Sequence, residues 1–258
     1  MKKILVFFAA IVVLTCVISS CKKTTAIPLK INVPTDTPTP RSFAIGPLLD
    51  DMEDGDNASY WGGYWYTYDD GANGGTSYAV PMSDTWANSH SITTAPFYMQ
   101  HPGCDTSGNN VATGFSARMT GLVTNTYTYG FVGMGNTFLN PQGPVSLTYV
   151  HGWKGVSFWV KGDGKTYKMK IGSVNPMFLL SVNDNFYEWS FTASSTWTKI
   201  TVPFTSMTQE PYWGTVLPVT SVADCLDMAV NIQWQCQGAD VIGNNATVDL
   251  ALDNVTFY

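Results

Sequence analysis

Polar and apolar residues alternate with a period of two along most of the chain beyond residue 48. Val111–Met119, Gly155–Lys161, Tyr167–Ile171, Tyr187–Phe191, Trp197–Phe204, Met228–Cys236 and Thr247–Tyr258 each alternate or run apolar over the length of a strand, and Gly, Pro, Asn or Asp separates them. Lys161-Gly162-Asp163-Gly164-Lys165 has the composition of a hairpin turn between two of these runs. Strands at this spacing predict an all-β fold, a two-sheet antiparallel β-sandwich. Phe158, Trp159, Phe191, Trp197 and Phe257 stand in apolar alternation and are assigned to its core.

The first residues follow a different pattern. Lys2-Lys3 precedes an apolar run, Ile4 to Ile18, broken in polarity only by Thr15. Such a run is shorter than the roughly 20 residues a membrane-spanning helix needs, and it reads as the core of an export signal over residues 1–20. It ends in Ile18-Ser19-Ser20-Cys21, which resembles the lipobox of bacterial lipoproteins. That resemblance implies a lipidated Cys21 as the new N-terminus and an exported, lipid-anchored protein of the cell envelope, at the outer membrane or cell surface. An ordinary cleaved signal is the alternative. Residues 21–46, with Pro28, Pro34, Pro38, Pro40 and many Thr, read as an extended tether, and 47–258 as the folded module. Cys104, Cys225 and Cys236 remain in the module, an odd number that allows one intrachain disulfide at most. Cys225 and Cys236 flank a strand-like run too long to bridge, so pairing of Cys104 with either is sterically freer.

Composition narrows the chemistry. With 23 Gly and 14 Pro in 258 residues, a helix-rich fold is excluded, and a net charge of −6 argues against nucleic acid as a partner. The histidines are His90, His101 and His151, and the glutamates Glu53, Glu188 and Glu210. No G-x-S-x-G, H-E-x-x-H or paired-Cys motif occurs, so acyl transfer and zinc hydrolysis have no recognisable apparatus. Two carboxyl groups across a cleft would serve a glycosidase, but any Asp-rich chain supplies a pair by chance. Aromatics, by contrast, reach 14%. Tyr60-Trp61-Gly62-Gly63-Tyr64-Trp65-Tyr66-Thr67-Tyr68 carries six of them in nine residues, more than one face of a strand can bury, so some must line a surface. Aromatic platforms with Asp, Asn, Gln and Tyr at their edges suit sugar rings, and the same clusters suit a protein interface.

The order of motifs favours sugars. Leu49-Asp50-Asp51-Met52-Glu53-Asp54-Gly55 opens the module and Trp61-Gly62-Gly63-Tyr64 follows. Later come Trp153 to Gly162 (W-K-G-V-S-F-W-V-K-G), Trp197 to Thr205 and Leu252-Asp253-Asn254-Val255-Thr256-Phe257. In this order they resemble the family 11 carbohydrate-binding modules and the wider galactose-binding-like jelly rolls, over nearly all of 48–258. The resemblance implies a jelly roll whose concave sheet binds β-glucan or cellulose-type chains without cleaving them, in the service of glucan degradation by separate glycoside hydrolases. It places the family's cleft aromatics on Tyr64, Tyr129 (preferred to Tyr127), Tyr212 and Trp234, and a cleft aspartate on Asp227. The arginine the family carries before the residue matching Tyr212 has no counterpart in Gln209-Glu210-Pro211.

Members of that group also hold a structural calcium where the N-terminal acidic segment meets the last strand, which implies Asp51, Glu53 and Asp253 as ligands. A solvated acidic turn is the plain alternative for that segment. The insertion between Gly71 and Asn110 reads as a decorated surface loop or a reshaped end of the cleft. Two other functions stay open: a surface adhesin or assembly protein that uses this fold to bind protein, as the similar mitochondrial complex I assembly factor domain does, and a cryptic endoglucanase.

Overall fold

The computed structural model describes residues 46–82, 97–138, 150, 152–173, 185–211, 216, 222–227, 229–238 and 245–258. They fall within one compact unit, Ala44–Tyr258. In chain order the strands are β1 (Leu48–Asp50), β2 (Trp65–Asp69), β3 (Tyr78–Val80), β4 (Gly103–Cys104), β5 (Asn110–Val111), β6 (Ala117–Thr124), β7 (Phe131–Thr137), β8 (Gly155–Gly162), β9 (Thr166–Ser173), β10 (Tyr187–Thr192), β11 (Thr198–Pro203), β12 (Ala229–Gln237) and β13 (Asn245–Phe257). One short helix, α1 (Val222–Asp227), leads into β12.

Two antiparallel sheets form the sandwich, as the alternation predicts. One runs β11-β8-β13-β6-β3, with β1 pairing β13 where β6 leaves off; the other runs β10-β9-β12-β7-β2. Along each strand every second side chain enters the shared core. On β12 these are Ile232, Trp234 and Cys236, on β13 Val248, Leu250 and Leu252, and on β8 Val156, Phe158 and Val160. Large rings fill the interior: Trp65 stacks on Trp234 at 5.7 Å, Phe158 meets Trp234 edge-on at 5.4 Å, and Trp61 stacks on Phe257 at 4.6 Å.

Three expectations need correction. Residues 161–165 are no hairpin, because β8 belongs to one sheet and β9 to the other. The segment turns a corner between the sheets, and Asp163 holds it by accepting from Lys165 Nζ (2.8 Å), the Tyr167 hydroxyl (3.1 Å) and the Asp249 amide (3.1 Å). Val111–Met119 is not one strand either, since a turn closed by the Gly114 amide on the Val111 carbonyl separates β5 from β6. Trp159 is only half-buried: it neighbours Phe158 on β8, so when one enters the core the other must point outward. Cys104, Cys225 and Cys236 are all free and buried, with no disulfide among them.

The described parts of the 71–110 insertion are structural. β3 extends the first sheet by pairing with β6, and β4 hands the Cys104 amide to Asp253 Oδ2 at 2.7 Å.

Candidate binding face on the five-stranded sheet

The outward face of the second sheet combines three residue types in register. β2 alternates, so Trp65 enters the core while Tyr66 and Tyr68 turn out, their rings 6.1 Å apart. Tyr64 continues the row, locked to β7 through its amide on Thr137 Oγ1 (2.9 Å) and its carbonyl on the Thr137 amide (3.0 Å). Across from Tyr66 and Tyr68 lie Gly135 and Gly133 of β7, then Gln233 and Gln235 of β12, then Lys170 and Lys168 of β9, then Glu188 and Ser190 of β10.

The two glycines explain how the rings lie. A Cβ on Gly133 would sit 2.2 Å from Tyr68 Cζ, and one on Gly135 2.9 Å from the Tyr66 hydroxyl. The tyrosines therefore cross over the β7 backbone instead of standing upright, and reach the glutamines beyond. Gln233 Nε2 donates to the Tyr66 hydroxyl (2.9 Å), and the Tyr68 hydroxyl donates to Gln235 Oε1 (3.1 Å). Tyr64 is 39% exposed and Tyr66 half-buried, while Tyr68, with Phe131 6.0 Å away, is buried. The accessible strip is thus Tyr64 and Tyr66 with Gln233 and Lys170 beside them.

The β9–β10 side of the face is charged. Lys168 Nζ lies 2.7 Å from Gln237 Oε1, 3.1 Å from Glu188 Oε1 and 3.4 Å from Glu210 Oε2. Lys170 Nζ lies 3.6 Å from Glu188 Oε2, and burial holds its ammonium below the ordinary lysine value, with Glu188 opposing that shift.

Of the residues named from sequence, Tyr64 stands on this face and Tyr129, 59% exposed, in the turn before β7, edge-on to Tyr127 at 5.8 Å. Trp234 is a correction: it is fully buried between the sheets, because the β12 alternation that turns Gln233 and Gln235 outward turns Trp234 in. Asp227 ends α1, half-buried, on the helix before β12 and not on the strand. Tyr212 and Cys21 lie outside the described residues. Sequence reasoning missed Tyr66, Gln233, Gln235 and Lys170. The i, i+2 spacing from Tyr64 would have found Tyr66, and fixing Trp234 as inward would have found the glutamines.

On the six-stranded sheet the first and last strands pair, as the calcium expectation requires. Asp253 is fully buried, and its carboxyl is pushed up to about 7, first by burial, while the charge of Glu53 adds to the rise. Its Oδ2 accepts from the Cys104 amide and its Oδ1 from Asn254 Nδ2 (2.9 Å), both neutral donors. Among the described residues no basic side chain is paired with either carboxyl. Asp51 Oδ1 accepts from the Tyr60 hydroxyl at 3.0 Å. Among the described residues no three His, Cys, Asp or Glu side chains converge on one point. Any further ligands would have to be neutral oxygens.

The fold is that of a β-sandwich with an aromatic and amide-lined sheet face. Residues 58–225 match the family described as Complex I intermediate-associated protein 30, CIA30, and the chain belongs to that family. Over 191 residues, 72% of this chain, it is 30% identical to Endoglucanase 3 of Fibrobacter succinogenes, and it spans about a quarter (24%) of the length of that relative. Among solved structures it is similar to the family 11 carbohydrate-binding module of the cellulosomal cellulase Lic26A-Cel5E of Clostridium thermocellum (18% identity, TM-score 0.45, 81% of this chain and 92% of that one). A second is the Caldicellulosiruptor saccharolyticus CBM27-1 in complex with mannohexaose (12% identity, TM-score 0.32, 74% and 94%).

Proposed function

We propose that this chain binds polysaccharide without cleaving it, on the outward face of the five-stranded sheet. The observation that carries the reading is the row of Tyr64 and Tyr66, with Tyr66 laid across Gly135 of β7 and Gln233 hydrogen-bonded at its edge. Flat C–H faces of pyranose rings stack on such platforms, and amides beside them select hydroxyl orientation. β-Glucan or cellulose-type chains are the proposed ligands, with Tyr129, Tyr212 and Asp227 proposed as further contacts. The relative named Endoglucanase 3 suggests glucan degradation as the setting for this binding. Lipidation of Cys21 would hold the module at the cell envelope through the tether of residues 21–46.

Glu188 and Glu210 both pair with Lys168 Nζ on the charged side of the face, at 3.1 and 3.4 Å. Affinity electrophoresis in gels of barley glucan, hydroxyethyl cellulose or xylan tests the reading. Retardation of the wild type, lost in Tyr64→Ala and Tyr66→Ala with an unchanged melting temperature, supports it. Reducing sugar released by the wild type but not by Glu188→Gln would replace binding with cleavage.

Membership of the CIA30 family favours one rival, a face that docks a protein of an assembly intermediate. No retardation in any polysaccharide would turn the reading towards it. A structural calcium at Glu53 and Asp253 belongs to the same proposal: it would stabilise the junction of the first and last strands. Calcium added to chelator-treated protein should raise the melting temperature, and Glu53→Gln should abolish the rise; an unchanged melting temperature ends the calcium proposal.

A further inference from the structure

Unspent polar capacity concentrates at one end of the sheet face. Lys168 is saturated by three acceptors within 3.4 Å, whereas Lys170, one outward position along β9, has among the described residues Glu188 Oε2 at 3.6 Å, longer than a hydrogen bond. Glu188 is buried, yet its Oε2 has no hydrogen-bond partner among the described residues, and neither has Asn231 Oδ1 of β12. Asn231 lies on the same face, paired with Gly172, whose missing side chain leaves room for the amide: a Cβ there would sit 2.2 Å from Asn231 Oδ1. Buried polar groups left this way are costly unless something completes them.

Given the polysaccharide reading above, on which this step rests, we propose that Lys170 is the specificity-determining hydrogen-bond donor of the face. It takes hydroxyl oxygens of the sugar unit beyond the one stacked on Tyr66. The register supports the placement, since Tyr66, Gly135, Gln233, Lys170 and Glu188 form one row across five strands. Neighbouring strands lie about 4.8 Å apart, close to the advance of one pyranose in a β-linked chain, so a chain crossing the strands meets Tyr66 and Lys170 with different units. Glu188 is a positioning residue: its carboxylate lies 3.6 Å from the largely buried Lys170 ammonium and opposes the lowering of that group's pKa by burial. The ligand is a neutral sugar, not a uronate, because Glu188 and Glu210 balance the two lysines and would repel a carboxylate.

The test compares wild type, Lys170→Met and Lys170→Gln of the full chain in gels of barley glucan, hydroxyethyl cellulose, xylan and polygalacturonate. With the neutral polymer that retards the wild type, Lys170→Met is expected to weaken binding about tenfold, as loss of a charge-assisted hydrogen bond would, with the melting temperature unchanged. Should Lys170→Met fail to fold, the Gln variant decides by the same loss. Wild-type-like retardation of either folded variant overturns the role of Lys170 while leaving polysaccharide binding in place. Retardation of the wild type by polygalacturonate alone overturns the neutral-sugar assignment. No retardation by any polymer removes the binding reading and this one with it.

Discussion

The two sheets share one interior but turn different surfaces outward. On the six-stranded sheet, outward positions carry Arg118 paired with Asp249, short or charged residues such as Lys199 and Thr201, and Trp159, against which Gly108 packs. On the five-stranded sheet the outward positions are tyrosine on β2, glycine on β7 and glutamine on β12. Strand alternation is the same in both. What differs is that glycine at two central positions of β7 lets long neighbours lie down over the backbone and bond across it, so one face becomes a platform and the other remains a wall.

The sharpest way to break this comparison is to exchange the roles of inward and outward rings. Trp234→Ala would remove a fully buried indole packed on Trp65 and Phe158, and a loss of about 3–5 kcal/mol in denaturant unfolding is expected. Tyr64→Ala, at 39% exposure, should change stability by no more than about 0.5 kcal/mol. Equal losses from both would mean that the tyrosine row belongs to the core.

Gly133→Ala tests the floor. The new methyl would meet Tyr68 ring atoms at 2.2–2.5 Å, so the ring must lift off Gln235, at a cost of about 1–3 kcal/mol. Polysaccharide retardation should weaken with it, as the row loses its flat seating. Wild-type stability in Gly133→Ala would show that the face tolerates upright side chains.

The junction between the sheets has its own signature in pH. Asp50 of β1 accepts from Trp65 Nε1 of β2 at 2.7 Å, tying one sheet to the other, and its carboxyl is pushed up to about 6, chiefly by burial. Between an ordinary carboxyl near pH 4 and that value, the unfolded chain has released a proton that the folded chain still holds. Stability contributed by protonated Asp50 is therefore full below about pH 4 and falls as pH rises towards 6, by on the order of 2 kcal/mol. Thermal unfolding of Asp50→Asn beside wild type should show that decline flattened across this window. Parallel curves would show that Asp50 titrates alike in both states.

Much of this was legible in the sequence, and the failures share a cause. Period-two alternation located β8 to β13 within a few residues, because each strand buries one face only. It could not say which sheet a strand joins, so Lys161 to Lys165 read as a hairpin when it turns a corner between sheets. Nor does a period of two carry an absolute phase. Trp159 was assigned to the wrong side for that reason and Trp234 through the family resemblance, and in both cases a neighbour settles the phase: Phe158 for the first, Gln233 and Gln235 for the second. Tyr64 was placed on this face from its motif, whereas Lys170 was not singled out, since its proposed role depends on Lys168 taking the better acceptors three strands away from Tyr66.

The smallest expected effect sharpens the comparison from its other side. Arg118 forks onto Asp249 at 2.8 and 2.6 Å across the outward face of the six-stranded sheet, with side chains 35% and 43% exposed. Water and salt screen such a pair, so Arg118→Ala should cost only about 0.2–1 kcal/mol, and less at high ionic strength. Retardation by polysaccharide should not change at all, because nothing on this wall reaches the tyrosine row. A variant that keeps its melting temperature but loses retardation would move the binding surface to the six-stranded sheet. In that event the tyrosines, glycines and glutamines of the opposite face would have a purely structural role, with their mutual hydrogen bonds serving to close the sheet rather than to present it.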